Sequence, residues 1–393
     1  MFKAKNLFVV ILILALIPLT ASATITRVIG MGGAGANYIL KDAANPGIWP
    51  QLVAEYPNLA GGEFYAADGS WDFHKAYVNY KPGDPCVLKF ELDNLMTPHY
   101  MMSPVFPDEA IGGYNRLNIT YGRTLNDMLI GLTLNYAAKS YKETEGDNKA
   151  DISYSTIGAN LGLTALEKKL DLALGFETAS WSDKQGSTTV NESDGAMALS
   201  FAGRYWYNVN ERYDLIPTLR FATMKDGAKY GDDTEALTTT AFVLSVGNNW
   251  RPVEDMLSIF ELGVQSVSEK AEAKYGGVST DLTNSELDIY WRLGFESKIF
   301  GWLNGRFGAE RSWAMGGLEW YYDDNTGLTE FPGKPDIGTS LTNLYLGATA
   351  HWNRLYLDLL VEPMFLHNGP YFVTGDETYG MFGRVSLKYD FNN

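Results

Sequence analysis

The sequence has little of what most enzymes and nucleic-acid-binding proteins use. It contains one cysteine, Cys86, and four histidines among 393 residues. A single cysteine excludes a disulfide scaffold and any cysteine-rich metal or cluster site, and four scattered histidines offer little for zinc or haem. Cations are also scarce, because 31 Lys and Arg face 47 Asp and Glu. Nucleic-acid binding needs clustered Lys and Arg, so that class of partner is excluded as well.

Residues 1–23 have the three parts of a secretory signal peptide. Two lysines among the first five residues precede an apolar stretch over 7–20, and a small-residue cleavage site ends at Ala23. The apolar stretch is too short to span a membrane as a helix. We therefore expect cleavage after Ala23. This step removes two lysines and no acidic residue, so the net charge of −16 becomes −18.

From about residue 59 onward, apolar and polar residues alternate with a period of two. The clearest case is 284–297, where Leu287 and Ile289 share one face while Asp288 lies on the other. This period predicts β-strands with one apolar and one polar face. Thirteen such segments follow residue 114 and three precede it, so we expect 16 strands. Fourteen is the alternative, if the hairpin at 74–93 is an insertion.

The connections between these segments alternate between short turns and long polar loops. Aromatic residues gather at the strand ends, as they do at the two interfaces of a membrane. Both features are typical of an all-β, transmembrane antiparallel β-barrel with short periplasmic turns and long extracellular loops. The expected long loops are 141–150, 182–194, 225–234, 269–283, 313–336 and 367–378.

Two short segments resemble parts of known outer-membrane proteins. Residues 384–391, which alternate apolar residues and end on Phe391, resemble the C-terminal signal of bacterial outer-membrane barrels. The glycine-rich stretch 27–35, followed by an Asn-Pro pair at 45–46, resembles the opening of FadL-like outer-membrane proteins. The resemblance implies a porin-like or FadL-like barrel of a Gram-negative bacterium, and a C-terminal segment that the barrel-assembly machinery recognises.

The same glycine-rich stretch contains a G-x-G-x-x-G spacing at Gly30, Gly32 and Gly35. In a Rossmann domain this spacing binds a dinucleotide. The chain lacks the alternating βα units that such a site needs. We therefore interpret the glycines as backbone that packs closely, within a plug-like or periplasmic segment, 24–58, that precedes a barrel over 59–393.

Charged residues on the polar faces of the strands are the candidate site. An Arg or Lys that faced lipid would cost about 2–4 kcal/mol at the midplane, so alternation assigns these residues to the lumen. They either pair across strands and stabilise the wall, or create a field that filters solutes. The pore-lining candidates are Arg116, Glu177, Arg204, Arg220, Glu261, Arg292, Glu296, Arg306, Glu310, Asp358, Glu362, Arg384 and Lys388.

The sequence alone favours a porin-like outer-membrane channel for passive diffusion of small hydrophilic solutes. The alternatives are a FadL-like transporter of hydrophobic compounds and a non-conducting surface or structural protein. No catalytic motif such as G-x-S-x-G occurs, so we expect no enzyme activity, no cofactor and no metal. The expected partners are outer-membrane lipid and lipopolysaccharide, with a homo-oligomer left open.

Overall fold

The computed structural model describes residues 24–32, 38–67, 70–95, 114–145, 148–185, 188–315, 340–361 and 382–391. The expected signal peptide and Glu362 lie outside these ranges. So do the expected loop 367–378 and all of the loop 313–336 beyond residue 315.

The described residues form sixteen antiparallel strands in one closed sheet, as the alternation predicted. Each strand pairs with its neighbours in sequence, and β1 pairs with β16 from Leu59↔Asp390 to Tyr65↔Arg384, which closes the barrel. The strands are β1 Leu59–Ala67, β2 Ser70–Gly83, β3 Cys86–Leu95, β4 Tyr114–Leu125, β5 Met128–Glu145, β6 Asn148–Ala165, β7 Leu170–Gln185, β8 in three pieces (Thr188–Ser193, Met197–Tyr205, Tyr207–Asn210), β9 Tyr213–Tyr230, β10 Asp233–Trp250, β11 Met256–Tyr275, β12 Val278–Phe300, β13 Leu303–Ala314, β14 Ser340–Trp352, β15 Leu355–Val361 and β16 Phe382–Asp390.

The wall separates an apolar outer face from a polar inner face. In β10, Phe242, Leu244 and Val246 are exposed, whereas the intervening Val243 and Ser245 are buried. Successive side chains of a strand point to opposite faces, so the alternation puts one set outside and the other in the lumen. A continuous exposed apolar band with a charged interior is the distribution of a membrane-spanning barrel. Among the described residues, no helix is both long and apolar enough to cross a membrane.

Four segments that were expected to be long loops are largely paired strand. Residues 141–145 and 148–150 continue β5 and β6, and 269–275 and 278–283 continue β11 and β12. The same holds for much of 182–194 and 225–234. The prediction of loops was wrong because these extensions have solvent on both faces. Their side chains therefore need not alternate between apolar and polar, although the backbone hydrogen bonds between strands continue. Beyond the apolar band, backbone hydrogen bonding between neighbours, rather than burial of one face, determines how far each strand extends.

Pro217 lies within β9, where the sequence suggests a bulge or a local break. The strand itself continues through Pro217, which pairs in register with Val246. The break occurs instead in β8, beside the proline, where the ladder to β9 stops at Trp206. The Trp206 amide donates to the Lys169 carbonyl (2.7 Å). Proline has no N–H to donate to the neighbouring strand, so the hydrogen-bond ladder between β8 and β9 is interrupted at this point.

The chain before β1 has short helices instead of strands. Helix α1 covers Ile25–Gly30, and two 3-10 helices cover Asn45–Gly47 and Pro50–Glu55. We call residues 24–58 the N-terminal segment, of which 24–32 and 38–58 are described. Its end meets the last strand, since the Phe391 amide donates to the Asn58 carbonyl (2.7 Å).

The N-terminal segment lies inside the barrel, against a row of small side chains on the inner wall. Trp49, Leu52 and Val53 are buried there. The row crosses five adjacent strands in register, and we call it the small-residue rung. A Cβ at three of its positions would overlap Val53 or Gln51. The small-residue rung consists of Gly122, Gly131, Gly162, Ala173 and Ala202.

We predict that Gly131→Ala will loosen the N-terminal segment while the barrel still forms. The added Cβ would overlap the Gln51 backbone nitrogen, and overpacking of this kind typically costs about 1–3 kcal/mol. Hydrogen exchange of residues 50–55 should accelerate. Gly83→Ala is the matched control, because a Cβ there meets nothing within 4 Å. Equal exchange in the two variants would show that the rung does not hold the segment.

Candidate functional site

The first luminal group of charges joins α1 to the wall. Arg27 forms ion pairs with Glu296 of β12 (2.7 Å) and with Asp42 of the N-terminal segment (2.7 Å). Arg306 of β13 donates to the same Glu296 (2.8 Å) and to Asp358 of β15 (2.6 Å). The Thr24 hydroxyl also donates to Asp358, at 2.9 Å. The helix and its N-cap are therefore joined directly to β12 and β15 by charge-assisted hydrogen bonds, and Arg306 of β13 links the two carboxylates involved.

The second group surrounds Arg204, whose side chain is fully buried on β8. Its Nε donates to Asp171 (2.7 Å), and its Nη1 donates to the carbonyls of Tyr38 (2.6 Å) and Leu40 (2.8 Å). The guanidinium also lies over the rings of Trp49 (4.6 Å) and Trp206 (4.9 Å). A wall side chain thus holds the backbone of the N-terminal segment directly.

The third group lies on β2 to β4. Lys75 is 3.2 Å from Asp93 and 3.5 Å from Glu91. The Asn118 amide donates to both carboxylates, at 2.6 Å and 3.0 Å. Arg116 extends this group towards β7, with nitrogens 3.6 Å from Asp93 and 3.7 Å from Glu177. The side chain of Arg116 therefore extends from β4 across the inner face of β5 and β6.

The fourth group lies on β11 to β14 and is centred on Arg292. Its nitrogens are 3.5 Å from Glu261 and 3.3 Å from Glu310. Glu261 also accepts from the hydroxyls of Ser245 (2.6 Å) and Tyr290 (3.1 Å). Pairing of this density is what buried charges require, because an isolated ion in a low-dielectric interior is expensive.

The structure places every described candidate on the inner wall, and most of them contact other candidates. Arg384 faces the lumen near Glu63, and Lys388 is buried over the ring of Tyr356 (4.0 Å). Glu362 lies outside the described residues. The candidates so placed are Arg116, Glu177, Arg204, Arg220, Glu261, Arg292, Glu296, Arg306, Glu310, Asp358, Arg384 and Lys388.

Sequence reasoning missed two kinds of luminal residue. Glu91 and Asp93 alternate with apolar neighbours and could have been found by the same period of two. Arg27 and Asp42 carry no periodic signal, because they belong to a segment without strands. Their roles depend on where that segment lies in the barrel, which local pattern does not specify.

A luminal cavity of about 440 Å³ lies beside the N-terminal segment. Tyr38 and Ile48 of that segment form one side, and Arg116, Glu177 and Arg220 contribute charge. The Arg220 guanidinium lies 4.2 Å from the centre of the Tyr38 ring. On the opposite wall, β7 to β10 also contribute small side chains: Ala173, Gly175, Ala198, Ala202, Ala222 and Ala241.

An apolar cluster continues the wall of the luminal cavity away from the N-terminal segment. Tyr154, Trp181 and Met224 pack together inside the barrel, and Ala196 joins them from the gap between two pieces of β8. Ala198 contacts this cluster and also lines the luminal cavity. This side of the lumen therefore contains an apolar patch, whereas the sides at β2 to β4 and β11 to β15 are mainly charged.

A second cavity, of about 740 Å³, opens at the short-turn end of the barrel. We call it the vestibule. Leu40 and Trp206 line its inner side, while Lys168, Arg251 and Asp255 come from the turns. Within the described ranges, no three His, Cys, Asp or Glu side chains are grouped to hold a metal ion.

No protein-family model matches the chain, and no curated protein matches its sequence. Among solved structures, a FadL homologue from Pseudomonas aeruginosa is 12% identical with a TM-score of 0.43, covering 96% of this chain and 100% of that one. The toluene transporter TodX from Pseudomonas putida is 10% identical with a TM-score of 0.40, covering 95% and 97%.

CdiB from Escherichia coli is 7% identical with a TM-score of 0.43, covering 85% of this chain. The chain spans 63% of the length of that protein. These similarities are weak, and they assign no activity to the chain.

We predict that Arg27→Met will release α1 from the wall. Burial lowers the pKa of Arg27, but Glu296 and Asp42 outweigh it and hold the pKa well above its usual value. The variant leaves Asp42 without its cation and Glu296 with Arg306 alone, and breaking a buried pair costs about 3–5 kcal/mol. Hydrogen exchange of 24–32 should accelerate. Unchanged exchange would show that the hydroxyl contacts of α1 suffice.

The effect of Arg27→Met should depend on pH. Burial raises the pKa of Asp42, and Arg27 opposes that rise, so the variant should raise it further. A carboxyl whose pKa is higher in the folded state than in the unfolded state contributes stability at low pH and loses it as pH rises. The deficit of the variant should therefore grow as pH rises above about pH 4, the usual pKa of an aspartate. Exchange measured at several pH values, after correction for the intrinsic rate, checks this.

Proposed function

We propose that the protein is an outer-membrane transporter that takes small amphiphilic molecules through a lumen narrowed by its own N-terminal segment. The observation that carries the proposal is the luminal cavity, whose wall on β7 to β10 combines alanines with the charged side chains of Glu177 and Arg220, while Arg116 of β4 adds a second cation. A cavity of about 440 Å³ lies within the range of small-molecule sites. Its lining of alanines beside charged groups suits a ligand with one apolar and one polar end.

The position of the N-terminal segment supports this transporter over a permanently open pore. A barrel of 16 strands is wide enough to hold water. Here residues 38–58 occupy the space near the short turns, and their backbone is held by wall side chains such as Arg204 and Asn249. In this proposal 24–58 is a plug, 59–393 is the barrel, and solutes pass only when part of the plug moves.

The charged vestibule favours a second candidate, which is passive diffusion of small hydrophilic solutes in the manner of a porin. Its lining carries both signs of charge, including Lys168, Arg251 and Asp255. Charged linings filter ions and polar solutes in pores. This candidate requires a water-filled path past the plug in the resting protein, so it predicts a steady conductance in the unmodified chain.

The remaining features of the proposal concern location and assembly. We place the chain in the bacterial outer membrane after cleavage of residues 1–23. The exposed apolar band would contact lipid and lipopolysaccharide, and the segment ending at Phe391 would be recognised by the assembly machinery. The role is transport without catalysis. Single-channel recording in planar bilayers separates the candidates, because large and stable steps from the unmodified protein would support the porin and contradict a plugged transporter.

We predict that Ala222→Phe will weaken ligand binding in the luminal cavity. The phenyl ring would fill the space beside the alanine wall, where Ala222 lies. The probe is 4-fluorobenzyl alcohol, which has an apolar ring and one hydroxyl, and fluorine NMR reports its binding to the detergent-solubilised protein. Ala222→Phe should weaken binding at least about tenfold, the scale of one well-placed apolar contact.

The matched control for this experiment is Ala138→Phe, an exposed position on β5. It adds the same ring to the barrel without entering the luminal cavity. Saturable binding that survives in both variants would show that the probe binds elsewhere. No saturable binding to the unmodified protein would contradict the proposed amphiphile site.

A further inference from the structure

We propose that Arg204 is the residue that keeps the luminal cavity and the vestibule apart, and that Asp171 is its positioning residue. The inference rests on the proposed function, because it identifies where that transporter would open. Two stretches of chain that lie against each other carry the evidence. One is on β8 of the wall and the other is in the N-terminal segment, and in each the side chains pass from one cavity to the other.

On the wall, β8 passes from one cavity to the other within five residues. Ala202 lines the luminal cavity and Trp206 lines the vestibule. Arg204 lies between them, with its side chain fully buried. At a rise of about 3.3 Å per residue, the two cavity-lining positions are only about 13 Å apart. The barrier is therefore one layer of side chains, and Arg204 is the wall's contribution to it.

The N-terminal segment supplies the other half of the barrier within three residues. Tyr38 lines the luminal cavity and Leu40 lines the vestibule, while Ile39 between them is fully buried. These residues belong to no strand or helix. Side chains of the wall hold their backbone, so release of these contacts would join the two cavities.

Wall side chains bind three successive carbonyl oxygens of this stretch. Arg204 donates to the carbonyls of Tyr38 (2.6 Å) and Leu40 (2.8 Å), and Asn249 donates to that of Ile39 (3.0 Å). Hydrogen bonds from a charged donor are roughly twice as strong as neutral ones. Arg204 therefore supplies most of the hydrogen bonding that fixes residues 38–40 across the lumen.

Asp171 of β7 holds Arg204 in place. Its carboxylate accepts from Arg204 Nε (2.7 Å), from the Trp206 indole (3.0 Å) and from the Thr164 hydroxyl (2.5 Å). Trp49 and Trp206 lie against the guanidinium, and Nη1 donates to the carbonyls of the N-terminal segment. Loss of the carboxylate would leave the cation without its counter-ion, so Asp171 acts on the barrier through Arg204.

The variants that test this are Arg204→Met, Arg204→Lys and Asp171→Asn. Methionine keeps the unbranched stem and removes all donors, whereas lysine keeps the charge but loses the planar fork that reaches two carbonyls. Arg123→Met is the matched control, because Arg123 is exposed at the short-turn end of β4. Heat-modifiable migration on gels confirms for each variant that the barrel is intact, which separates gating from folding.

Two measurements report whether the barrier between the luminal cavity and the vestibule has opened. Hydrogen exchange of residues 38–41 should accelerate at least about tenfold in Arg204→Met, less in Arg204→Lys, and not at all in Arg123→Met. Potassium chloride conductance in planar bilayers should rise at least about tenfold in Arg204→Met, with Asp171→Asn changing in the same direction. A merely structural role for Arg204 would lower the yield of intact barrel without raising the conductance of what remains.

Gly131→Trp separates failure of this inference from failure of the proposed function. The bulky ring would displace the N-terminal segment at the small-residue rung, where even a Cβ overlaps Gln51. If Gly131→Trp conducts and Arg204→Met does not, the barrier lies elsewhere and the inference is overturned while transport stands. If neither conducts although both barrels are intact, the transport function itself is contradicted.

Discussion

A wall of sixteen strands encloses more space than its own side chains can fill. The arrangement of the other parts of the structure depends on that constraint. Small barrels are packed by their inward side chains, whereas wider ones need water, a ligand or another segment of chain. Here residues 24–32 and 38–58 supply part of that filling. The small-residue rung lets them approach the backbone of the wall, since Gly122, Gly131 and Gly162 leave room for Val53 and Gln51.

Once the lumen is occupied, its charges are no longer bathed in water and must find partners. Arg27, Arg204 and Arg306 each meet at least one carboxylate within 2.8 Å. Such pairs add little net stability compared with apolar packing, yet breaking one is costly. Their effect is on position, because each arginine accepts only a few geometries of carboxylate and carbonyl. The N-terminal segment is thereby held in one arrangement.

The lumen is uneven around its circumference, and this asymmetry leads to the proposed function. Charged groups predominate on the wall at β2 to β4 and β11 to β15, whereas on β7 to β10 alanines alternate with charged residues such as Glu177 and Arg220. The luminal cavity lies where the two surfaces meet. Arg204 lies two residues from Ala202, which lines the cavity, and so connects the cavity's wall with the N-terminal segment.

The sequence by itself determined the barrel. The period of two in segments such as 284–297 reflects lipid on one face and lumen on the other, and that contrast is visible in any local window. It also assigned the charged candidates, from Arg116 to Lys388, to the inner wall. It failed on 269–283, because hydrogen bonding extends strands beyond the band where alternation is required.

Only the tertiary structure decided what the lumen contains. Arg27 meets Glu296 across 269 residues of chain, and Arg204 reaches the carbonyls of Tyr38 and Leu40 across more than 160. These contacts depend on where a segment without periodicity settles inside a closed sheet. A local pattern encodes which face of a strand is polar, but not which distant backbone that face will hold.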